Sequence, residues 1–462
     1  MDRKLLVFQI LLLLAALGCE HGLEGPTPAA SGLDPALVCT EQLTTEVVLS
    51  GDALSPVEVD SLTGDPSLAL PALTLLPALD LAGEPAAADA AAVAVEPQRL
   101  GWTDQQTMSL RIDPELALQP GVYDLRVENR NGRSSVLEQG LVAVPPPELH
   151  AVAPDLICTA QGPNTLTLSG AGFLRIGSEL PEVDFGQGTR LTATGLEDCT
   201  PLPGPVADAE RCATLVLELD QDALAPGAYA VRVTNPMPAG CASTEPVTLA
   251  VVPPPELDTI EPDLLCTAQI DNTLMLSGSG FLDVDGSLPT VSIGGLEFTA
   301  AGLDDCSPVE GTLLAARSCS SLRLKLPPGS LPAGAHAVVV TNPQPAACSS
   351  EQDRSLAAVD PPQLAAVEPD LLCLDEADMT LTVSGSGFLD VAGALPTVLV
   401  DDQVFAADAV SDCQPVAGTL LEARSCTTLT VTLPQGALAA GSYELNVHNP
   451  EPAACVSEQG VG

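Results

Sequence analysis

Short stretches of this chain alternate apolar and polar residues. Leu322, Leu324 and Leu326 alternate with Arg323 and Lys325, and Tyr443, Leu445 and Val447 alternate with Glu444, Asn446 and His448. Successive side chains of a strand point to opposite faces, so a period of two with one apolar side predicts strands packed on one face only. Gly, Pro and Asn bound these stretches and predict the turns between them.

The pattern repeats. Pro-Pro-Pro-Glu-Leu occurs at 145–149 and 253–257, and Pro-Pro-Gln-Leu at 361–364. Leu-Ser-Gly-Ala-Gly-Phe-Leu at 168–174 returns as Leu-Ser-Gly-Ser-Gly-Phe-Leu at 276–282 and Val-Ser-Gly-Ser-Gly-Phe-Leu at 383–389. Asn-Pro returns at 235, 342 and 449, which sets a period of 107 or 108 residues. A diverged first copy carries Leu49-Ser50-Gly51 in place of the full motif. Self-similarity at a fixed period marks a tandem array. The predicted organisation is a signal peptide at 1–18, a tether at 19–32, and repeats at 33–147, 148–255, 256–362 and 363–462. About seven short strands per repeat predict an all-β chain of about four Ig-like β-sandwich domains in an elongated array, the last of them incomplete. After Cys455 only seven residues remain, where twelve separate Cys241 from Pro253, so the final strand of the fourth copy is cut short. That leaves an edge with unpaired backbone and predicts that the native chain continues.

The three tyrosines, Tyr123, Tyr229 and Tyr443, occupy one slot of the repeat, just after a Gly turn, and the third copy places His336 there. A Tyr at the start of the penultimate strand matches the tyrosine corner of Ig-like sandwiches, in which the hydroxyl bonds back to the backbone. His336 is read as structural in the same way. The glycines of the Gly-x-Gly-Phe motif, Gly170 and Gly172 in the second copy, are expected at positive φ in a tight turn. Phe173, Phe281 and Phe388 are expected to cap the core. The Gly-x-Gly-Phe motif, the Val183-Asp184-Phe185-Gly186 strand and the Tyr-x-Val-x-Val-x-Asn-Pro segment together resemble the IPT/TIG domains of bacterial surface proteins, plexins and some transcription factors. The resemblance covers copies two to four well and the first loosely, and it implies an Ig-like sandwich.

Composition alters the picture in three ways. Aromatic residues make up only 2% of the chain, so its cores must be built from Leu, Val and Ala. A net charge of −45 repels nucleic acid and anionic headgroups. The start, Met-Asp-Arg-Lys followed by the apolar run Leu5 to Leu14 and small residues, reads as an export signal too short to span a bilayer. Its end, Ala15-Ala16-Leu17-Gly18-Cys19, resembles a bacterial lipobox. That resemblance implies acyl chains on Cys19, and Glu20 after it implies sorting to the outer membrane of a Gram-negative cell. Cleavage as an ordinary small-x-small site is the alternative and leaves a free thiol.

Thirteen further cysteines are disulfide candidates: Cys39 in the first copy, then Cys158, Cys199, Cys212, Cys241; Cys266, Cys306, Cys319, Cys348; and Cys373, Cys413, Cys426, Cys455. Exported cysteines at fixed repeat positions imply disulfides, and the lack of Cys-x-x-Cys argues against a zinc or redox site. Two pairings stay open: four cysteines closed within a repeat, or the first cysteine of one repeat joined to one of the last three of the next. The second accounts for the lone Cys39, leaves Cys373 over, and would stiffen the array into a rod.

No catalytic or cofactor-binding motif is present. His21, His150, His336 and His448 stand apart from any nucleophile in a motif. Asp283-Val284-Asp285-Gly286 is a weak calcium candidate through Asp283 and Asp285, but lacks the rest of a calcium loop; a solvated turn is the expected reading, and no metal is assigned. Three roles follow for a non-enzymatic exported array: adhesion or binding of a surface protein or glycan, a spacer presenting a further domain, or an accessory region of an exported enzyme. The first is preferred by analogy with anchored Ig-like arrays.

Overall fold

The structure is a computed structural model that describes residues 25–41, 44–59, 67–269, 272–350, 354–373 and 378–458. Residues 1–24, which hold the expected export signal, Cys19 and His21, lie outside the described residues. The fold is an all-β tandem of Ig-like sandwiches. The chain forms two compact units. One falls within Met1–Ala153, Thr165–Leu219 and Tyr229–Thr248, the other within Pro154–Asn164, Asp220–Ala228 and Leu249–Gly462.

In the first unit, the first repeat packs two sheets face to face. Ala29–Asp34, Thr45–Asp52, Thr107–Ile112 and Leu100–Asp104 make one, in that order. Leu37–Cys39, Ser134–Val144, Gly121–Glu128, Ala72–Leu79 and Val93–Ala94 make the other. The chain changes sheet at Pro35. Proline has no N–H to extend the ladder of the strand before it, and Leu37–Cys39 then runs parallel to Val142–Val144 in the second sheet. Between the sheets lie Val47, Leu49, Leu73, Leu75, Met108, Leu110, Leu125 and Val127, every one an aliphatic or Met side chain. Trp102, the sole tryptophan of the chain, lies within Leu100–Asp104. Its ring packs against this core and its Nε1–H donates to the Leu54 carbonyl at 2.9 Å. The same unit holds the second repeat's sheet of Glu148–Ala153, Asn164–Ile176, Ala209–Leu219 and Gly195–Pro201.

In the second unit the third repeat follows the same plan. Glu256–Glu261, Asn272–Val284, Ala316–Leu326 and Gly302–Pro308 form the four-stranded sheet. Leu264–Cys266, Arg354–Val359, Gly334–Thr341, Thr290–Ile293 and Leu296–Thr299 form the five-stranded one. Leu322, Leu324 and Leu326 are buried while Arg323 and Lys325 are exposed, as their alternation requires. The fourth repeat keeps the first sheet in Gln363–Glu368, Met379–Val391, Ala423–Leu433 and Ala409–Ser411. Its second sheet has only three strands among the described residues, Gln403–Ala406, Thr397–Val400 and Leu445–His448.

The Gly-x-Gly-Phe motif is not a turn between strands. It is a bulge inside one long strand: the pairing of Asn272–Val284 with Ala316–Leu326 shifts between Ser277 and Phe281. Gly172 has φ 76°, as expected, but Gly170 does not lie at positive φ. Gly170 is needed for a different reason. A Cβ there would sit 2.1 Å from the Glu148 carbonyl oxygen, and the same holds at Gly278 (1.9 Å from Glu256 O) and Gly385 (2.1 Å from Gln363 O). The bulge brings neighbouring backbone too close for any side chain. It also turns Phe173, Phe281 and Phe388 fully into the core.

Candidate functional site

The recurring Asn-Pro segment has a physical role that its spacing did not disclose. Each Asn follows the penultimate strand and reaches the opposite sheet. Asn342 accepts from the Leu282 N–H at 2.9 Å and donates to the Gly280 carbonyl at 2.8 Å. Asn235 and Asn449 make the same pair of bonds, to Leu174 and Gly172 and to Leu389 and Gly387. In the diverged first repeat Asn129 accepts from Ser55 N and donates to Ala53 O. All four amides are buried. The bulge leaves an N–H and a carbonyl without ladder partners, and one primary amide supplies the acceptor and the donor that both require.

At the tyrosine slot, the Tyr123 hydroxyl donates to the Gln119 carbonyl at 2.8 Å and accepts from its N–H. Tyr443 bonds Ala439 in the same manner. His336 places Nε2 2.7 Å from the Pro332 carbonyl, again four residues back. Tyr229 packs edge-on against Phe185 with ring centroids 6.3 Å apart. Burial pushes the Tyr123 phenol above its ordinary range. His150 stands exposed beside Glu148 at 3.4 Å.

The cysteines divide into two kinds. Cys199–Cys212 and Cys306–Cys319 bridge directly opposed residues of adjacent strands within a repeat, and Cys413–Cys426 ties the break between Ala409–Ser411 and Gln414–Pro415 to the strand Ala423–Leu433. Cys39–Cys241, Cys158–Cys348 and Cys266–Cys455 join one repeat to the next. Cys373 is free and exposed. Each link between repeats sits in an apolar contact. In the first unit Leu37, Val142 and Val144 meet Leu174, Leu202, Ala209 and Ala239. In the second unit Leu156, Ala250 and Val252 meet Leu282, Val284, Ala316 and Ala346, and Leu264 and Ala357 meet Leu389, Val391, Ala423 and Ala453. Polar clamps flank two of these contacts. The Asp155 carboxylate accepts from Leu313 N at 2.6 Å, and Asp263 accepts from Thr419 Oγ1 at 2.8 Å and Leu420 N at 2.5 Å.

The carboxylates of the calcium candidate are used internally. Asp283 accepts from Gly286 N at 2.9 Å and from the Arg317 guanidinium, and Asp285 accepts from Ala315 N at 2.9 Å. The fourth repeat repeats the ion pair with Asp390 and Arg424, and the second inverts its sign with Arg175 and Glu210 at 3.0 Å. A pair whose charges can be exchanged serves cross-strand attraction, whereas a cation site needs the acid. Cys199, Glu210 and Cys212 lie close enough to suit a metal, but both thiols are committed to their disulfide.

In the first repeat Arg99 is buried against Asp113 at 2.5 Å. The hydrogen bond donated by Arg99 holds the Asp113 carboxyl below its usual range and raises the guanidinium in turn. Asp113 also caps the short 3₁₀ helix Pro114–Leu116 by accepting from Glu115 N.

Two surface features stand out. The hairpin of Val57–Val59 and Ser67–Ala69 projects Val57, Val59 and Leu68, which are about half exposed (46%, 46% and 51%). Every Phe, Tyr and Trp ring among the described residues is buried or half-buried, so these rings offer no flat exposed platform of the kind on which sugars stack. No helix among these residues is long and apolar enough to cross a membrane.

No family model matches the chain, and no curated protein matches it. Among solved structures it is similar to the surface glycan-binding protein SGBP-B of the Bacteroides ovatus mixed-linkage glucan utilization locus. Identity is 10%, coverage is 82% of this chain and 94% of that one, and the TM-score is 0.16. It is also similar to the insect immune protein hemolin (12% identity, 94% and 98% covered, TM-score 0.19). A tetra-tandem repeat from the extending region of a large adhesion protein shows 14% identity, 93% and 97% covered, and a TM-score of 0.17. At these scores none of the three fixes what this chain binds.

Proposed function

We propose that this protein is an exported, lipid-anchored surface protein of a Gram-negative bacterium that binds a protein ligand through its Ig-like repeats, of IPT/TIG type, and catalyses no reaction. The repeats are taken as residues 33–147, 148–255, 256–362 and 363–462, behind a signal peptide at 1–18 and a tether from an acylated Cys19. One observation carries the binding role: Val57 and Val59, each 46% exposed, share one face of a hairpin that packs no core, and Leu68 stands exposed on its other face beside Glu58. Exposed apolar side chains gathered on one element mark contact surfaces, whereas scattered ones do not. The lack of an exposed Phe, Tyr or Trp platform among the described residues favours a protein over a glycan.

The disulfide links between repeats favour a second reading, a spacer that holds a further domain away from the membrane. A panel of extracellular proteins and a glycan array, both probed with the purified chain, separates the two. The binding account expects saturable capture of a protein that is lost in the V57S/V59S/L68S variant. A chain that binds nothing, or a variant that binds as well as wild type, ends the account. Anchoring is checked by the intact mass of the native N-terminus, where acyl chains on Cys19 are expected and a free thiol would remove the anchor.

A further inference from the structure

The tether expected over residues 19–32 is shorter than its sequence suggests. Ala29 already opens a strand, opposite Asp52. Just ahead of it, the Pro26 carbonyl accepts from Asn129 Nδ2 at 3.2 Å and from Asn131 Nδ2 at 3.1 Å. A Cβ on Gly25 would sit 2.5 Å from that Asn131 nitrogen, so the chain runs close against the turn at 129–133. Pro26 is seven residues on from Cys19. Fully extended, seven residues span about 25 Å. The end of the first repeat that holds Pro26 therefore stands within about 25 Å of an acylated Cys19, less than the roughly 30 Å diameter of a small domain.

The hairpin of Val57–Val59 and Ser67–Ala69 rises from that same end. Asn129, which holds Pro26, also accepts from Ser55 N at 3.2 Å and donates to the Ala53 carbonyl at 2.8 Å, just ahead of Val57. Arg130 Nε donates to the Leu70 carbonyl at 2.9 Å, just past Ala69. Both stems of the hairpin are thus tied to the turn that pins the tether. The opposite end of the sandwich, at Leu37, Cys39, Leu81 and Val122, is taken by the second repeat. Arg130 and Arg133 stand exposed on the turn and can meet carboxylates of a partner. Glu58 lies opposite Leu68 on the hairpin. Burying this element in lipid would strip that carboxylate of water without replacement, whereas a protein surface can supply a donor.

Resting on the acylated Cys19 and the hairpin contact given above, we propose that the protein ligand of this hairpin is an integral protein of the membrane that holds the anchor, met side by side in one bilayer. A gap about one domain deep leaves little room for a ligand borne on another cell. A neighbour in the same membrane presents its surface at this height at all times, and the shared bilayer raises its effective concentration. The surface that fits carries an apolar patch for Val57 and Val59, with carboxylates at its rim for Arg130 and Arg133.

The test uses the full chain in its own cells, with the photo-cross-linker p-benzoylphenylalanine in place of Ser67, which is exposed opposite Val59 on the hairpin. The control position is Glu84, exposed in the loop beside Leu81 at the other end of the repeat. At position 67 the expected adduct joins a protein that withstands carbonate and high-salt washes and leaves the membrane only in detergent. Position 84 should give that adduct in at least tenfold lower yield. A spacer of about 40 Gly and Ser residues inserted after His21 should lower the yield at position 67 at least fivefold, because effective concentration falls roughly as the −3/2 power of tether length. An adduct with a protein that carbonate extracts, or a yield indifferent to the spacer, overturns the membrane partner and leaves the hairpin a protein-binding surface. An adduct with lipid alone, or none at all, overturns both.

Discussion

Replacing Asn342 by Ala tests what holds the two sheets of a repeat together. The substitution removes the acceptor of the Leu282 N–H and the donor to the Gly280 carbonyl. Asn342 is 3% exposed, so water cannot readily replace either partner. A buried polar group left unsatisfied costs about 1–3 kcal/mol. Two such groups give a loss of about 2–6 kcal/mol, a large share of the roughly 5–15 kcal/mol that holds a typical domain together. For a domain of about 100 residues this lowers the melting temperature by about 10–30 °C. Calorimetry of the whole chain should show one transition displaced by that amount while the others stay in place. Hydrogen exchange should show the Leu282 amide losing its protection. Thr341→Ala, next door, removes only an exposed contact between the Thr341 and Ser349 hydroxyls at 2.8 Å, and about 0.5 kcal/mol or less is expected from it. A shift below about 3 °C for Asn342→Ala with the Leu282 amide still protected would refute the reasoning, because a cost so small contradicts two buried orphan groups.

Other substitutions probe separate parts of the fold. Gly278→Ala places a Cβ 1.9 Å from the Glu256 carbonyl and should destabilise the third repeat by about 1–3 kcal/mol or more, since backbone must move. Gly32→Ala, with nothing within 4 Å of its Cβ, should be neutral or slightly stabilising by urea titration. The Asp113 carboxyl lies below its ordinary value of 3.8 in the folded chain. Its contribution is therefore fully present above the unfolded value and is lost as pH falls through the folded one. Below about pH 4 the first repeat of the wild type should lose stability more steeply than that of Asp113→Asn. Parallel slopes in the two proteins would contradict the ion pair with Arg99.

Much of this architecture is legible in the residues because it depends on local alternation. Leu322 to Leu326 place their apolar side chains inward through the period of the strand alone. The Gly-x-Gly-Phe motif was harder. Two glycines two residues apart look like a turn, and only the strand continuing past them to Val284 makes them a bulge. The role of Asn342 was hidden for a related reason: its partners lie about sixty residues away, at Gly280 and Leu282, and sequence spacing cannot say which backbone groups a bulge has left unpaired. The cysteines carried a true ambiguity, since closure within a repeat and linkage between repeats have the same spacing. What resolves it is the switch at Pro262, which brings Leu264–Cys266 to the edge of the second sheet, where Cys266 meets Cys455.

The disulfide links between consecutive repeats are the core of this account, and non-reducing proteolysis with mass spectrometry tests them most directly. The predicted result is peptides joined as Cys39–Cys241, Cys158–Cys348 and Cys266–Cys455, beside Cys199–Cys212, Cys306–Cys319 and Cys413–Cys426, with Cys373 open to alkylation. A peptide joining Cys158 to Cys199, Cys212 or Cys241 would contradict it, because each repeat would then be closed on itself.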